Sequence, residues 1–376
     1  MKKIWSFTTV KDEEDIIESF VRYNMNIFDG MVISDNGSND STLDILYKLK
    51  EEGYNIDILV DESKYFDQLV KRNELLKHTM ECHNPDFAFP LDADELVCTT
   101  QNVNPKNIIN KLDKNYLHKY RLRNYVLTGK ETNELFVPKR ITTYRIDNEN
   151  LPGNYKCFIS NTIFKKGLTL EIGSHGAHLN NNEKLQEKIL EKLYIAHFPV
   201  RSKYQIINKT ITGRLNNLSL HSREEGFGFH QYEILDEIVK LGTISDETLL
   251  DISKTYMIYD KNTKVKYKKS PIDLSFCKNL ELKYTKTGND DTLLANTIKT
   301  SVVIINHMRE ENKREYLEFE KNAQEYNKII NSKTWRMRNR VIKLFRLGEF
   351  KKTKDKWKVF ENKYFFTWQI SCFKHL

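Results

Sequence analysis

The chain has no run of about 18 apolar residues, and its mean hydropathy is −0.62, which excludes a membrane-spanning helix. Cysteine is scarce. The five cysteines, at positions 82, 98, 157, 277 and 372, are scattered with no CxxC spacing. Neither a zinc knot nor a disulfide framework is signalled, and a reducing compartment fits. Neither GxGxxG nor GxxxxGK[ST] occurs, so the usual dinucleotide and P-loop readings lose their main support. The apolar stretch that follows Lys2-Lys3 is too short for a signal peptide and has no small-residue cleavage site. It reads as the first strand of a cytosolic domain. What the sequence does have is core material. Of 376 residues, 39% are hydrophobic and 30% charged, too apolar for a disordered chain and long enough for two or three domains.

Charge of one sign is missing from most of the chain. Lys plus Arg is 60 against 52 Asp plus Glu, a net of +8. Residues 331–376 hold 13 basic and 3 acidic residues, a local +10, so the other 330 carry 47 basic and 49 acidic, a net of −2. A near-neutral body therefore ends in a basic tail. The tail also holds three of the four tryptophans, Trp335, Trp357 and Trp368. Basic residues mixed with large aromatics suit an anionic surface.

The first hundred residues alternate between two periods. Residues 4–10 are apolar and β-branched, a buried strand. A helix follows with Ile16, Ile17, Phe20 and Val21 on one face, and Asp12 to Asp15 load its first turn, where acids complement the helix dipole. Residues 31–34 form a second strand running into the dense turn Asp35-Asn36-Gly37-Ser38-Asn39-Asp40-Ser41. Ser41 or Asp40 caps the next helix, which buries Leu43, Leu46 and Leu49 and stops at Gly53. Residues 55–60 form a third strand, 66–82 a helix, and 86–91 a fourth strand ending in Asp92-Ala93-Asp94-Glu95. This order predicts an α/β fold with a mostly parallel, Rossmann-like sheet covered by helices on both faces. Ligands in such sheets bind beyond the carboxyl ends of the strands, where both acidic clusters fall.

Asp92 and Asp94 are the centre of the argument. Two carboxylates two apart beyond a buried strand are costly without a cation. In an extended segment both face one side, so they can converge on Mg²⁺ or Mn²⁺, which take hard oxygen ligands. Such a metal neutralises a diphosphate leaving group. The plainer reading is an acidic turn in which Asp94 or Glu95 caps a helix.

Three landmarks, taken in order and spacing, resemble a GT-A type glycosyltransferase close to family 2, in its Asp-x-Asp-Glu branch, over roughly residues 1–235. They are Phe7-Thr8-Thr9-Val10-Lys11-Asp12-Glu13, Asp35-Asn36-Gly37-Ser38-Asn39-Asp40-Ser41-Thr42, and Leu91-Asp92-Ala93-Asp94-Glu95. The resemblance implies a metal-dependent transfer of a sugar, from a nucleotide donor, most simply a UDP-sugar, to a glycan or lipid-linked acceptor in cell-surface polysaccharide synthesis. It implies that Thr8, Val10, Asp12 and Glu13 line the base and ribose pocket, that Asp35 hydrogen-bonds the base, that Asp92 meets ribose and metal, and that Asp94 ligates the metal. Asp12 stands where many relatives have Asn. Arg72 and Asn73, in Lys71-Arg72-Asn73, fall where relatives place a residue that reaches the nucleotide or the Asp-x-Asp loop, and Lys156 matches a position beside the acceptor.

The second half supplies histidines. Gly173-Ser174-His175-Gly176-Ala177-His178 is a small-residue turn, and Ala196-His197-Phe198-Pro199-Val200-Arg201-Ser202 resembles the family's His-Tyr-x-x-[KR]-Ser segment. His197 is then a metal ligand or diphosphate contact, and Arg201 binds the diphosphate through its planar fork. Residues 184–193, between them, have helical spacing. An inverting enzyme needs one general base. The family's Glu-Asp pair has no clear copy here, so the candidates are Glu95 and Glu171, with His175 or His178 as alternatives.

Beyond residue 235 a mainly helical extension, 236–330, is expected. Residues 234–241 and 248–259 read as helices, 261–269 as a lysine-rich linker, 300–307 as a strand or a buried helix start, and 310–330 as a long helix packing on the body or a second subunit. The tail 331–376 opens with Ser332-Lys333-Thr334-Trp335-Arg336, which resembles the segment ending the catalytic unit in bacterial polysaccharide glycosyltransferases. It reads as an interfacial helix on an anionic cytoplasmic leaflet, making the protein cytoplasmic and peripheral on the membrane. No nucleic-acid recognition module precedes it. The competing readings are a nucleotidyltransferase, disfavoured because the place of its basic, Gly-rich loop is acidic here, and a non-catalytic nucleotide-binding scaffold.

Overall fold

The computed structural model describes residues 1–61, 68–146, 155–181, 183–218, 234–258, 264–288, 290–333 and 336. The first third alternates as expected: β1 (Ile4–Val10), α1 (Ile17–Asn24), β2 (Gly30–Asp35), α2 (Thr42–Glu51), β3 (Ile56–Val60), α3 (Gln68–His83) and β4 (Phe87–Pro90). These strands lie in the order β3-β2-β1-β4, all parallel. β1 and β2 are buried almost throughout, as near-continuous apolar runs in a covered parallel sheet should be. Gly30 begins β2 because the indole of Trp5 lies 2.5 Å from where its Cβ would sit.

Past β4 the chain continues through β5 (Glu95–Thr99), α4 (Pro105–Ile109), β6 (Leu117–Val126), α5 (Val137–Arg140), β7 (Thr143–Ile146), β8 (Tyr155–Ser160), α6 (Asn161–Phe164), β9 (Leu168–Leu170), β10 (Ala177–Leu179) and β11 (Glu187–His197). Here antiparallel pairing takes over. β8 joins β4 and β6, and β7 joins β6, all antiparallel. β11 runs parallel to β6 and antiparallel to β5, and β9 with β10 forms a separate small hairpin sheet. The result is an α/β fold of the Rossmann-like kind, parallel in its first part and mainly antiparallel after β4.

Residues 184–193, expected as a helix, lie largely in strand β11. The register of β11 on β6 shifts between Leu190 and Tyr194. That bulge breaks the two-residue alternation, so buried Leu190, Leu193 and Tyr194 fall at spacings of three and four that imitate a helix.

The chain then forms α7 (Lys203–Leu218), α8 (Leu235–Leu241), α9 (Asp246–Thr255), β12 (Lys266–Lys269) and α10 (Asp290–Asn331). The lysine-rich stretch expected as a linker ends in β12, an exposed strand antiparallel to β7. An edge strand made of Lys and Tyr discourages further pairing. Residues 300–307 lie within α10, where Asn296, Thr300 and Ile304 are buried four apart, one helix face. The chain divides into two compact units, Met1–Asn306 and His307–Leu376. In the first, α9 and the following segment supply Leu249, Leu250, Tyr256, Leu274 and Phe276 to the main core. In the second, Tyr316, Leu317 and Phe319 are exposed, and the side chains of Tyr326 and Ile329 lie outside the described residues. So does the tail reading, apart from residues 331–333 and 336. Among the described residues no helix is long and apolar enough to cross a membrane.

Candidate active site

Two acidic loops meet at the carboxyl edge of the parallel strands. Val10 at the end of β1 lies in register with Asp35 at the end of β2. Asp12, in the left-handed region at φ 55°, donates its N–H to Ser38 Oγ and accepts from Asn39 N–H at 2.6 Å. Glu13 N–H donates to Thr42 Oγ1, and Ser41 N–H to the Glu14 carboxylate. Asp40 accepts from Glu14 N–H at 3.1 Å and Thr42 N–H at 2.9 Å, which makes it the clasp at the start of α2, while the Ser41 side chain makes no capping bond. Burial raises the Asp12 carboxyl, and burial with the charge of Asp12 raises Asp40 to about 7.

Three buried oxygens here have no partner: Thr8 Oγ1, Asp12 Oδ2 and Asp35 Oδ1. The other oxygen of Asp35 accepts from Ser38 N–H at 3.0 Å, fixing the carboxylate. Buried polar atoms are normally satisfied, so these three leave hydrogen-bonding capacity near the ends of β1 and β2 that a ligand could use.

Asp92 and Asp94 bond to different partners. Glu95 N–H donates to Asp92 O at 3.0 Å, a tight turn that replaces the extended geometry expected for Asp-x-Asp. The two carboxylates accordingly face different partners. Asp92 is gripped by Arg72 from α3 and by Lys156 from β8, whose Nζ is 2.6 Å from Asp92 Oδ2. Burial alone would raise its pKa, but Arg72 and Lys156 hold it well below the ordinary carboxylate range. Asp94 is almost fully buried. Against that burial, Lys209, His197 and Arg201 also hold it low. Lys209 Nζ lies 3.4 Å and Arg201 Nη1 3.6 Å from its Oδ2, and His197 Nε2 lies 3.6 Å from its Oδ1.

Glu95, a candidate base, is turned inward. Its carboxylate holds Lys156 at 2.6 Å and accepts from Asp92 N–H at 2.9 Å. It therefore shapes the turn rather than meeting an acceptor. Arg201 is buried and donates to both Asp15 oxygens and to Glu13 Oε2. Burial, opposed by Arg201 and Lys209, leaves the Glu13 carboxyl raised to about 7.

His197 sits at the end of β11, in register with Glu95. Its Nδ1 lies 2.7 Å from Asn124 Oδ1. An amide oxygen only accepts, so Nδ1 carries a proton, and the Nε2 edge of the ring faces Asp94. A hydrogen bond on the far nitrogen fixes the plane of the ring, as it would have to for a histidine that ligates a metal. A carboxylate oxygen beside an imidazole nitrogen is a donor pair that a first-row divalent cation such as Mn²⁺ can take.

The remaining candidates separate clearly. His175 Nδ1 bonds Tyr155 O at 2.8 Å, and burial lowers its pKa. It lies within the field of Lys156, Asp92 and Arg72. Ser174, in the same turn, accepts from Arg72 at 3.2 Å. His178 points outward from β10, and Glu171 is exposed. Asn73 uses its amide on the backbone of Leu69 and Leu170, clipping α3 to β9. Val10 is buried at the strand end. Sequence reasoning missed Lys209, Asp15 and Asn124. Lys209 had a signal: Gln205 and Lys209 lie four apart on one face of α7, just after Arg201.

No protein-family model matches the chain, and no curated protein does. Among solved structures, the chain is similar to glucosyl-3-phosphoglycerate synthase from Mycobacterium tuberculosis in complex with Mg²⁺ and uridine diphosphate. The likeness spans 46% of this chain and 62% of that one at 17% identity, with a TM-score of 0.28. The same synthase with Mn²⁺, uridine diphosphate and glucosyl-3-phosphoglycerate is similar over 44% and 60%, at 16% identity and a TM-score of 0.27. HddC from Yersinia pseudotuberculosis is similar over 52% and 93%, at 9% identity and a TM-score of 0.33. The chain thus spans less than two thirds of the synthase. Likenesses this remote carry no functional weight beside the side chains themselves.

Proposed function

We propose that the chain is a metal-dependent glycosyltransferase that moves a sugar from a nucleotide-sugar donor, a UDP-sugar, to a glycan or lipid-linked acceptor in cell-surface polysaccharide synthesis. One observation carries this reading. Buried Asp94 is faced by an oriented imidazole and two cations, beside unpartnered acceptors on the neighbouring strand ends. That combination matches a ligand with a donor-bearing base at one end and a diphosphate at the other.

In this reading Asp35 Oδ1 accepts from the base, and Thr8 and Asp12 complete the nucleoside pocket. Asp94 and His197 hold Mn²⁺ or Mg²⁺, which supplies charge stabilisation to the departing diphosphate. Asp92, with both oxygens engaged by Arg72 and Lys156, keeps the turn in place and offers its remaining lone pairs to the ribose. Lys209 binds the diphosphate oxygens, while Arg201, its N–H groups taken by Asp15, Glu13 and the Phe198 carbonyl, holds the acidic loop beside Asp94. His175 is the best supported base, because its Nδ1 bond to a carbonyl leaves Nε2 unprotonated and burial keeps the ring neutral at pH 7. The basic tail brings the enzyme to an anionic cytoplasmic leaflet, and deleting 331–376 should release it from phosphatidylserine vesicles without affecting donor hydrolysis.

The test is release of nucleoside diphosphate from a panel of nucleotide sugars with and without Mn²⁺. Asp94→Asn should lower it by about 10²-fold or more while the fold is kept, the usual scale for losing one such group. Unchanged turnover in that variant would overturn the assignment. A non-catalytic nucleotide-binding protein is the second reading, favoured by the engagement of Asp92 and Glu95 with protein cations. Nucleotide binding without any release would mark it.

A further inference from the structure

A second polar cluster lies apart from the strand-end site. Asp57 stands on β3, and His78 and His83 stand on α3. His78 Nε2 and His83 Nε2 each lie 2.9 Å from the same carboxylate oxygen, Asp57 Oδ2. One ligand atom from each residue falls within 4.8 Å of the other two. Five residues apart on a helix is not one face, since each residue turns about 100°. The rings converge because His83 is the last residue of α3 and is stacked on Trp5, centroids 3.7 Å apart and planes 13° from parallel. Asn84, at φ 43°, then ends the helix.

We propose that Asp57, His78 and His83 form a binding site for a late first-row divalent cation, of which Zn²⁺ is the representative. The donor set decides the class. Two imidazole nitrogens and one carboxylate oxygen suit Zn²⁺ and its neighbours, whereas Mg²⁺ and Ca²⁺ take oxygen cages. Three protein ligands leave a fourth tetrahedral position for water or an outside ligand. The side chains are 33%, 30% and 21% exposed for His78, Asp57 and His83, so a cation can enter from solvent. Preorganisation is present as well. Trp5 fixes the plane of the His83 ring, and the His78 Nδ1 lies 3.8 Å from Cys82 Sγ, a partner for the proton that a ligating Nε2 requires on the other nitrogen. Hydrogen bonding alone needs a proton on both Nε2 atoms, whereas a cation uses both lone pairs with the same carboxylate.

The position gives the cation a structural role. It ties the C-terminal turns of α3 to β3, while the same helix carries Arg72 onto Asp92 about 9 Å further back along its axis. A metal here stiffens the helix that holds the Asp92 turn.

The test is competition of the metal-stripped full chain against a chromophoric chelator for Zn²⁺. At least one equivalent should bind in the wild type, and one should remain in Asp94→Asn and in Cys82→Ser, which separates this site from the strand-end site and from adventitious thiol binding. Affinity should fall by roughly 100-fold or more in the His78→Gln, His83→Gln double variant. In the wild type, Co²⁺ loading should shift two imidazole N–H proton resonances, a readout that needs no variant to fold. Absence of a stoichiometric site in the wild type, full binding in the double variant, or unshifted imidazole resonances would each overturn the proposal.

Discussion

Two acidic clusters share one edge of the sheet and behave in opposite ways. In the loops at 11–15 and 35–42, carboxylates crowd one another. Asp12 is raised above its ordinary pKa, Asp40 is raised to about 7, and Asp12 Oδ2 and Asp35 Oδ1 go unpartnered. In the turn at 92–95, Arg72, Lys156, Arg201 and Lys209 face the carboxylates, and Asp92 and Asp94 are held low. The same residue type thus does two jobs. In the proposed function, the first cluster offers acceptors to a donor-bearing ligand, and the second gathers cations around a fixed negative centre where an anionic ligand and its metal would be exchanged into the network.

Removing a cation from the second cluster should give the largest effect. Lys156 is buried between Asp92 and Glu95. Lys156→Met strands a buried carboxylate and should cost about 3 kcal/mol or more in urea unfolding. Adding Glu95→Gln should recover part of that loss. An unchanged unfolding midpoint would mean the pairing contributes little. Next comes a change in the first cluster. Asp35→Asn should weaken nucleoside diphosphate binding by roughly 10-fold, the scale of one hydrogen bond to a charged group, with little change in melting temperature. Calorimetric titration reads it, and equal affinity would remove Asp35 from the base pocket.

The smallest effect is in pH dependence, where the two clusters have opposite signs. Asp40 and Glu13 sit at about 7 when folded, against about 4 for ordinary carboxyls. Their folded forms hold protons the unfolded chain has released, so their stabilising contribution is full below about pH 4 and lost as pH rises through 7. Asp92 and Asp94 are lowered, so theirs is present above about pH 4 and lost as pH falls towards their own values. Between pH 5 and 8 Asp40 and Glu13 pass through their raised values. The melting temperature should fall across that range, and Asp40→Asn should flatten the fall. An identical slope in the variant would contradict the raised carboxyl.

Much of this was legible in the residues. The run from Ile4 to Val10 is β1 as expected, because a buried parallel strand needs no alternation, only β-branched apolar residues between breaks. Asp40 emerged as a helix clasp because Asp and Asn accept from backbone two residues on. Other features were hidden by physics that acts at a distance. A bulge gave β11 a helical spacing. One backbone hydrogen bond closes a turn at 92–95 where an extended segment was expected. Lys209 and Asn124 come to Asp94 and His197 from elements far off in sequence, and nothing local to either residue announces the meeting.

The most direct test of the account is thermal unfolding of the wild type and of Asp94→Asn with uridine diphosphate, each with and without Mn²⁺. A ligand that binds only the folded state raises the melting temperature. The account predicts a rise in the wild type that needs both nucleotide and Mn²⁺, and that is lost in Asp94→Asn. A rise of equal size without Mn²⁺, or one that survives in Asp94→Asn, would contradict it.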